Sequence, residues 1–271
     1  MVDFELTEEQ TLMQKTAHEF AAREMRPVSL DYDKKGEMAW DIVKKAHGLG
    51  LDTAFIPEAY GGGGIASVLT QVVVMEELNW GCAGMATGLI GAGLAYLPII
   101  HMGTEDQKKR FLTRFTGPEA RLGALCLTEP DAGSDVANIA TSATRMGDEW
   151  VLNGVKRFIT NGGIADLHVV FATLDKSLGY FGIRAFVVEH GNPGLKMGKV
   201  EDKMGVRSSH TAEVVLDNCH VPAGNMLGSD ESTAFYGAMK TLESSRPLVA
   251  SGAIGIARAA YEYALDYARK R

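Results

Sequence analysis

The hydrophobic period of this chain changes twice, and that constrains its architecture more than any single motif. Up to about Pro118 apolar residues recur at helical spacing, from Arg121 they fall into short runs, and after Val221-Pro222 the helical spacing returns. A helix buries a stripe of period 3.6 and a strand a face of period two. The order is therefore helices, strands, helices. Residues from about 121 to 221 are expected to form a compact, mostly antiparallel β domain between helical parts.

Local signals fill in this frame. Thr7-Glu8-Glu9-Gln10 reads as a capping box opening a helix to about Met25, where Pro27 should stop it. Further helices are expected over 39–49, 67–79 and, from a second capping box at Thr104-Glu105-Asp106-Gln107, through Phe115. Four glycines, Gly61 to Gly64, suggest a phosphate loop, but no Lys-Ser or Lys-Thr follows and no buried strand leads in. A connection between helices is the better reading. The small residues from Gly81 to Ala95 allow another backbone or a ligand to approach closely. Strands are expected over 122–128, 139–146, 167–173, 185–188 and 212–216. Gly147-Asp148 reads as a turn, and Asn153-Gly154 between apolar runs predicts a hairpin. A polar link over 228–232 leads to helical patterns over 234–242 and 248–268, and the sequence stops at Arg269-Lys270-Arg271 with no C-cap glycine.

The segment 125–134, Leu-Cys-Leu-Thr-Glu-Pro-Asp-Ala-Gly-Ser, joins the two regimes. A strand end fixes a row of backbone donors, Pro130 holds Glu129 extended, and Gly133 permits a positive φ or a close ligand. Such an end can present donors to a flat polar ring and then a phosphate. Read alone, an ordinary strand followed by a Pro–Gly turn is the better reading.

A net charge of −7 with no long basic run argues against nucleic acid as a partner. The three cysteines, Cys82, Cys126 and Cys219, are odd in number and widely spaced, with no metal-ligand pattern, and read as small buried hydrophobes in a reducing compartment. No metal site is expected. The N-terminus lacks a signal-peptide core, and no apolar run is expected to reach the ~20 residues that span a bilayer. The expected location is cytoplasmic.

Taken together, Thr128-Glu129-Pro130-Asp131-Ala132-Gly133-Ser134-Asp135, then Asn153-Gly154-Val155-Lys156-Arg157-Phe158-Ile159-Thr160-Asn161-Gly162-Gly163, Met204-Gly205-Val206-Arg207-Ser208-Ser209, Val221-Pro222 and Arg246-Pro247 resemble, in order, the acyl-CoA dehydrogenase family of flavoproteins. The resemblance covers essentially the whole chain. It implies an α+β fold with an N-terminal helical domain (1–120), a central antiparallel β-barrel-like domain carrying FAD contacts (121–227) and the start of a C-terminal helical bundle (228–271). Carried over by position, Leu125, Cys126, Leu127, Thr128, Gly133 and Ser134 match the first FAD segment, and Phe158, Ile159 and Thr160 the second. Arg271 matches an arginine that reaches a neighbouring subunit's FAD. Ser134, Glu243, Ser244, Ser245 and Arg246 match positions that contact the acyl-CoA, and Ala86, Thr87, Ile90 and Gly91 match the stretch lining the acyl pocket.

The implied activity is α,β-dehydrogenation of an acyl-CoA thioester to a trans-2-enoyl-CoA in fatty-acid β-oxidation, with electrons passed to an electron-transfer flavoprotein. The implied assembly is a homotetramer built as a dimer of dimers. In the family a glutamate removes the α-proton. A minority of members place it immediately before the arginine matched by Arg246, but that position is Ser245, and Glu243 lies about 200° away around a helix at ~100° per residue. No catalytic base is therefore assigned; the resemblance puts it beyond Arg271. Two other readings stay open: an acyl-CoA oxidase or flavin monooxygenase on the same fold, and an inactive subunit that scaffolds a hetero-oligomer.

Overall fold

The computed structural model describes residues 5–228 and 234–271, apart from the side chains of residues 91 and 92. The expected polar link at Ser229, Asp230, Glu231 and Ser232 lies outside the described residues. Helix α1 (Glu8–Phe20) starts on Thr7, and Thr7 and Gln10 cap each other reciprocally. Pro27 does not end the helical path. A π turn (Ala21–Met25) and a 3₁₀ turn (Arg26–Val28) carry it into α2 (Ser29–Lys35), which stops on Gly36 at φ +68. Proline sits in the first turn of the new helical segment, where its missing N–H has no partner to lose. Helices α3 (Trp40–Gly48), α4 (Val68–Gly81), α5 (Ala83–Met102) and α6 (Glu105–Leu112) follow, α6 with the second capping box in place.

Helix α5 corrects one expectation: by length and composition it is apolar enough to cross a membrane. It is 62% buried inside the fold. Its contacts with α4, with a strand of the sheet and with the last helix make it the core of the helical layer.

Among the described residues the sheet has seven strands: β1 (Gly123–Cys126), β2 (Ser142–Met146), β3 (Glu149–Thr160), β4 (Leu167–Thr173), β5 (Ile183–Glu189), β6 (Leu195–Val200) and β7 (Thr211–Pro222). Their order is β1-β4-β2-β3-β7-β6, with β5 on the other edge of β4. Most pairings are antiparallel, as expected, but β1 runs parallel to β4, and β2 meets β4 in parallel at Ser142–Thr173. Leu122 and Ile139, with Leu167, Val169 and Phe171 of β4, join the helical core, while Trp150, Leu152, Val170 and Phe186 fill a second core on the other face.

Asn153-Gly154 is not a hairpin turn. The turn is at Gly147-Asp148, where Gly147 takes φ +62 and Met146 pairs with Glu149. Asn153 and Gly154 run inside β3 at a register shift against β7. A Cβ on Gly154 would lie 2.5 Å from the Thr141 hydroxyl, so glycine serves close approach here rather than reversal. The four-glycine stretch is a packed connection: the N–H groups of Gly61, Gly62, Gly63 and Gly64 donate to the carbonyls of Glu58, Pro57, Thr53 and Ile56. With those donors spent, no phosphate cradle remains.

After β7 a single helix, α7 (Ala234–Lys270), replaces the two expected segments and contains Pro247. The proline removes one helical hydrogen bond, the one to the Glu243 carbonyl. Packing of α7 along α4 and α5 keeps the helix continuous.

Candidate active site

The rim of the site is the crossing of β1 with β3. Beyond β1 the backbone continues through Leu127 and Thr128 and turns at Pro130-Asp131, with Glu129 and Ala132 bonded to each other on either side. Two consecutive carbonyls of this tail are tied to two consecutive residues of β3. The Lys156 ammonium donates to the Leu127 carbonyl at 3.2 Å, and the Arg157 N–H donates to the Thr128 carbonyl at 2.9 Å.

Lys156 is fully buried, and its partner is the Glu129 carboxylate at 2.7 Å. That carboxylate also accepts from the N–H groups of Ala140 (2.6 Å) and Thr141 (3.0 Å). Burial alone would push the Glu129 carboxyl up; the charge of Lys156 and these hydrogen bonds outweigh it and hold the carboxyl below its ordinary value. Burial pulls the Lys156 ammonium down, with Glu129 opposing.

Between Lys156 and Ile159 the β3–β7 register slips, and the bulge puts Phe158 at φ +57 with 62% of its surface exposed. An aromatic in the left-handed region, out of the core, is an outlier on both counts. Ile159 turns back into the second core, and Thr160 comes to the edge of a cavity. Asn161, also at positive φ and fully buried, donates from its amide to the carbonyls of Gly88 in α5 and Gly123 in β1. It thus fixes the helical layer against both strands of the rim.

The cavity has a volume of about 360 Å³. Its walls come from α4 (Gln71, Met75, Asn79), α5 (Ala83, Thr87, Ile90) and α7 (Ser245, Leu248, Gly252), and the sheet side contributes Thr160 and Val206. It is mostly apolar, the character of a site for a hydrocarbon chain. Among the described residues no carboxylate or imidazole lines it.

The expected site residues separate into groups. Thr160, Thr87, Ile90 and Ser245 meet at the cavity. Leu125, Cys126 and Leu127 send half-buried or buried side chains inward and can offer a ligand only backbone. Burial pushes the Cys126 thiol up to about 12, so it is no nucleophile. Thr128 is half-buried, and Gly133 and Ser134 are exposed on the same rim. Gly133 does not take a positive φ, and a Cβ there would meet nothing within 4 Å, so of its two expected uses only room for a ligand remains.

Ala86 is buried away from the cavity, and Gly91 lies outside the residues whose surroundings are described. Glu243 and Arg246 are exposed on α7 and do not line the cavity, as their angular distance from Ser245 requires; Ser244 is half-buried beside them. Arg271 lies over the ring of Tyr267 in its own helix. It is 26 residues past Ser245, about 39 Å along the helix at 1.5 Å per residue, so one chain does not bring it to the cavity. Sequence reasoning gave no role to Glu129, Lys156, Asn161 or Val206. For Glu129 and Lys156 the signal is a charged residue within or beside a strand-like run; Asn161 and Val206 carry no local signal beyond their place in the matched motifs.

The rim fits the flavin that the sequence implies. Among the described residues, the hydroxyls of Thr128, Ser134 and Thr160 have no hydrogen-bond partner in the protein. Thr128, bonded through its carbonyl to the Arg157 N–H, and Thr160 flank an exposed aromatic, Phe158, that the fold holds at positive φ. Unspent hydroxyls next to an exposed ring suit a flat polar heterocycle with a polar tail.

Comparison with known proteins agrees. The acyl-CoA dehydrogenase N-terminal domain matches residues 7–119 and the acyl-CoA dehydrogenase middle domain residues 124–219. Cyclohex-1-ene-1-carbonyl-CoA dehydrogenase of Geobacter metallireducens is 44% identical over 269 residues, 98% of this chain and 70% of that protein. Butyryl-CoA dehydrogenase from Megasphaera elsdenii superposes with a TM-score of 0.94 at 42% identity, over all of this chain and 71% of that one. A glutaryl-CoA dehydrogenase from Mycobacterium smegmatis in complex with FADH2 gives a TM-score of 0.89 at 30% identity, over 98% of this chain and 67% of that one.

Proposed function

Since the chain belongs to the FAD-dependent acyl-CoA dehydrogenase family, we propose that it oxidises a short acyl-CoA thioester between its α and β carbons and that its electrons go to an electron-transfer flavoprotein. The observation that carries this reading is the apolar cavity whose sheet-side end is Thr160, two residues from the exposed, bulged Phe158. Bound FAD supplies the hydride acceptor. The chain's own residues hold the reactants. Thr128 and Thr160 offer hydroxyls to the ring system, Phe158 covers it, Ser134 takes the phosphate region, and α4, α5 and α7 exclude water from the acyl chain.

The name of the butyryl-CoA dehydrogenase supports a small, straight acyl group. Ser245 stands where a minority of the family carries the base, and a serine hydroxyl does not take a proton from carbon unaided. The proton-abstracting group is therefore assigned to no residue of 1–271. The match of Arg271 to a residue that reaches a neighbouring subunit supports a homo-oligomer.

Anaerobic titration of the protein, with excess FAD, by butyryl-CoA tests the reading. Bleaching of the visible flavin band that air restores slowly is the expected result where the proton-abstracting group is present; with residues 1–271 alone, which carry no assigned base, a shift of the band on thioester binding is expected instead. Fast restoration by air favours an oxidase or monooxygenase. Bound FAD whose band no acyl-CoA bleaches or shifts leaves the scaffolding subunit as the better account.

A further inference from the structure

Three of the non-glycine residues with positive φ gather where the sheet meets the cavity. Phe158 and Asn161 flank Thr160, and Val206 lines the cavity with it. The first is explained by the bulge and the second by its side-chain hydrogen bonds, whereas Val206 has no polar side chain to hold it there. Its φ is +56, in a region where a β-branched side chain is a true outlier. A chain that needed only to turn would carry glycine at this position. The glycine is instead the residue before, Gly205, where a Cβ would meet nothing within 4 Å.

Such strain persists only where the surroundings over-determine it, and here both flanks are clamped. On one side, Arg207 donates from its backbone N–H to the Asp33 carboxylate and from Nε to the Asp33 carbonyl, each at 3.0 Å. Its Nη1 reaches the Asp202 carboxylate (2.6 Å) and the Lys203 carbonyl (2.7 Å). On the other side, Ser208 is fully buried against α5, where a Cβ on Gly84 would stand 2.2 Å from its hydroxyl. The Ser209 N–H closes the turn on the Val206 carbonyl at 3.1 Å. The clamps hold one apolar side chain in place at the sheet-side end of the cavity.

We propose that Val206 is a specificity-determining residue that admits acyl groups straight at the carbons next to the thioester and excludes those branched or ringed there. This rests on the function proposed above: if the flavin lies against Thr160 and Phe158, the carbons being oxidised lie at the same end of the cavity as Val206. A methylene-sized change in such a pocket changes discrimination by about 10- to 200-fold.

The test is calorimetric binding, with FAD in excess, of butyryl-CoA and cyclohexanecarbonyl-CoA to the wild type, Val206→Gly and Val206→Ile. The wild type should prefer the straight chain. Val206→Gly should reduce that preference by about fivefold or more, through tighter binding of the ring, and Val206→Ile should increase it. Because glycine relieves the left-handed strain, Val206→Gly should also melt no lower than the wild type. A preference equal within twofold in all three proteins, with both thioesters bound, overturns the inference and leaves the proposed function standing. A lower melting temperature for Val206→Gly overturns it too, since Val206 would then be a plug that stabilises the fold. If no variant binds either thioester, the acyl-CoA reading fails and this inference falls with it.

Discussion

Glu129 and Glu77 are both carboxylates taken almost wholly out of water, 6% and 3% exposed, but the groups around them differ in kind. Glu129 is met by a fully buried lysine and two backbone N–H groups, all within the sheet and its turn. Glu77 is met by side chains from other helices: Gln14 (3.1 Å) and His18 (2.8 Å) of α1 and the Arg258 guanidinium of α7. The side chains of His18 and Arg258 are 44% and 27% exposed, so water can replace either of them. No water can replace Lys156. The first cluster is therefore a strut that sets the backbone of the rim, and the second an adjustable clamp between helices that wall the cavity. The difference lies in what remains when one member is removed.

The largest effect should come from Lys156→Met. It leaves a buried carboxylate with two donors and no countercharge, a loss of about 3–5 kcal/mol by the usual cost of breaking a buried pair. Urea melts measure it. Lys156→Met combined with Glu129→Gln should recover much of the loss, because an uncharged amide replaces the stranded charge. Arg258→Ala should cost less, about 1–2 kcal/mol, since Glu77 keeps His18 and Gln14 and gains water. Equal losses for Lys156→Met and Arg258→Ala would collapse the distinction between strut and clamp.

Acid should act on both clusters in the same direction. Burial raises the Glu77 carboxyl, but its hydrogen bonds from Arg258 and His18 outweigh that, so its folded-state pKa lies below its ordinary value, as does that of Glu129. A depressed carboxyl contributes stability that is present above the unfolded carboxylate pKa of about 4.3 and is lost as pH falls through the lower folded value. Stability of the wild type should therefore fall as pH drops below about 5. Glu77→Gln should flatten that slope; an unchanged slope would show that Glu77 is not held charged by its helical partners.

The same contrast explains what was legible in the sequence. Capping boxes at Thr7 and Thr104 and the apolar run of β4 are local features, and they appear where expected. Strand β6, Leu195–Val200, went unseen because its residues are half-buried or exposed, so no apolar alternation marks it. Pro27 reads as a helix end and the helical pattern breaks between 242 and 248; a fresh helical turn at the first and long-range packing along α4 at the second carry the helix through. Asn153-Gly154 carried a hairpin signal, but the need for room beside Thr141 explains the glycine instead. Of the proposed site, the residues with unspent hydroxyls come from the family resemblance rather than from any local signal. The strut was missed because Glu129 and Lys156 are 27 residues apart, and nothing in either neighbourhood says that the two side chains meet inside a core.

The smallest effect on stability separates the rim's structural residues from those that face a ligand. Thr160→Val keeps the β-branched shape at a half-buried position and removes a hydroxyl that has no partner among the described residues. Surface-like changes of this kind move stability by less than about 0.5 kcal/mol. If the hydroxyl serves only solvent, FAD affinity should also be unchanged. If it faces the flavin, removing one hydrogen bond worth about 1 kcal/mol should weaken FAD binding about fivefold. Flavin fluorescence titration of Thr160→Val beside Lys156→Met distinguishes the cases. Thr160→Val should lose affinity with its melting curve intact, whereas Lys156→Met should lose both together, because the strut acts on the flavin only through the backbone it holds. A Thr160→Val protein that binds FAD like the wild type would remove Thr160 from the flavin site and leave it as part of the acyl cavity wall.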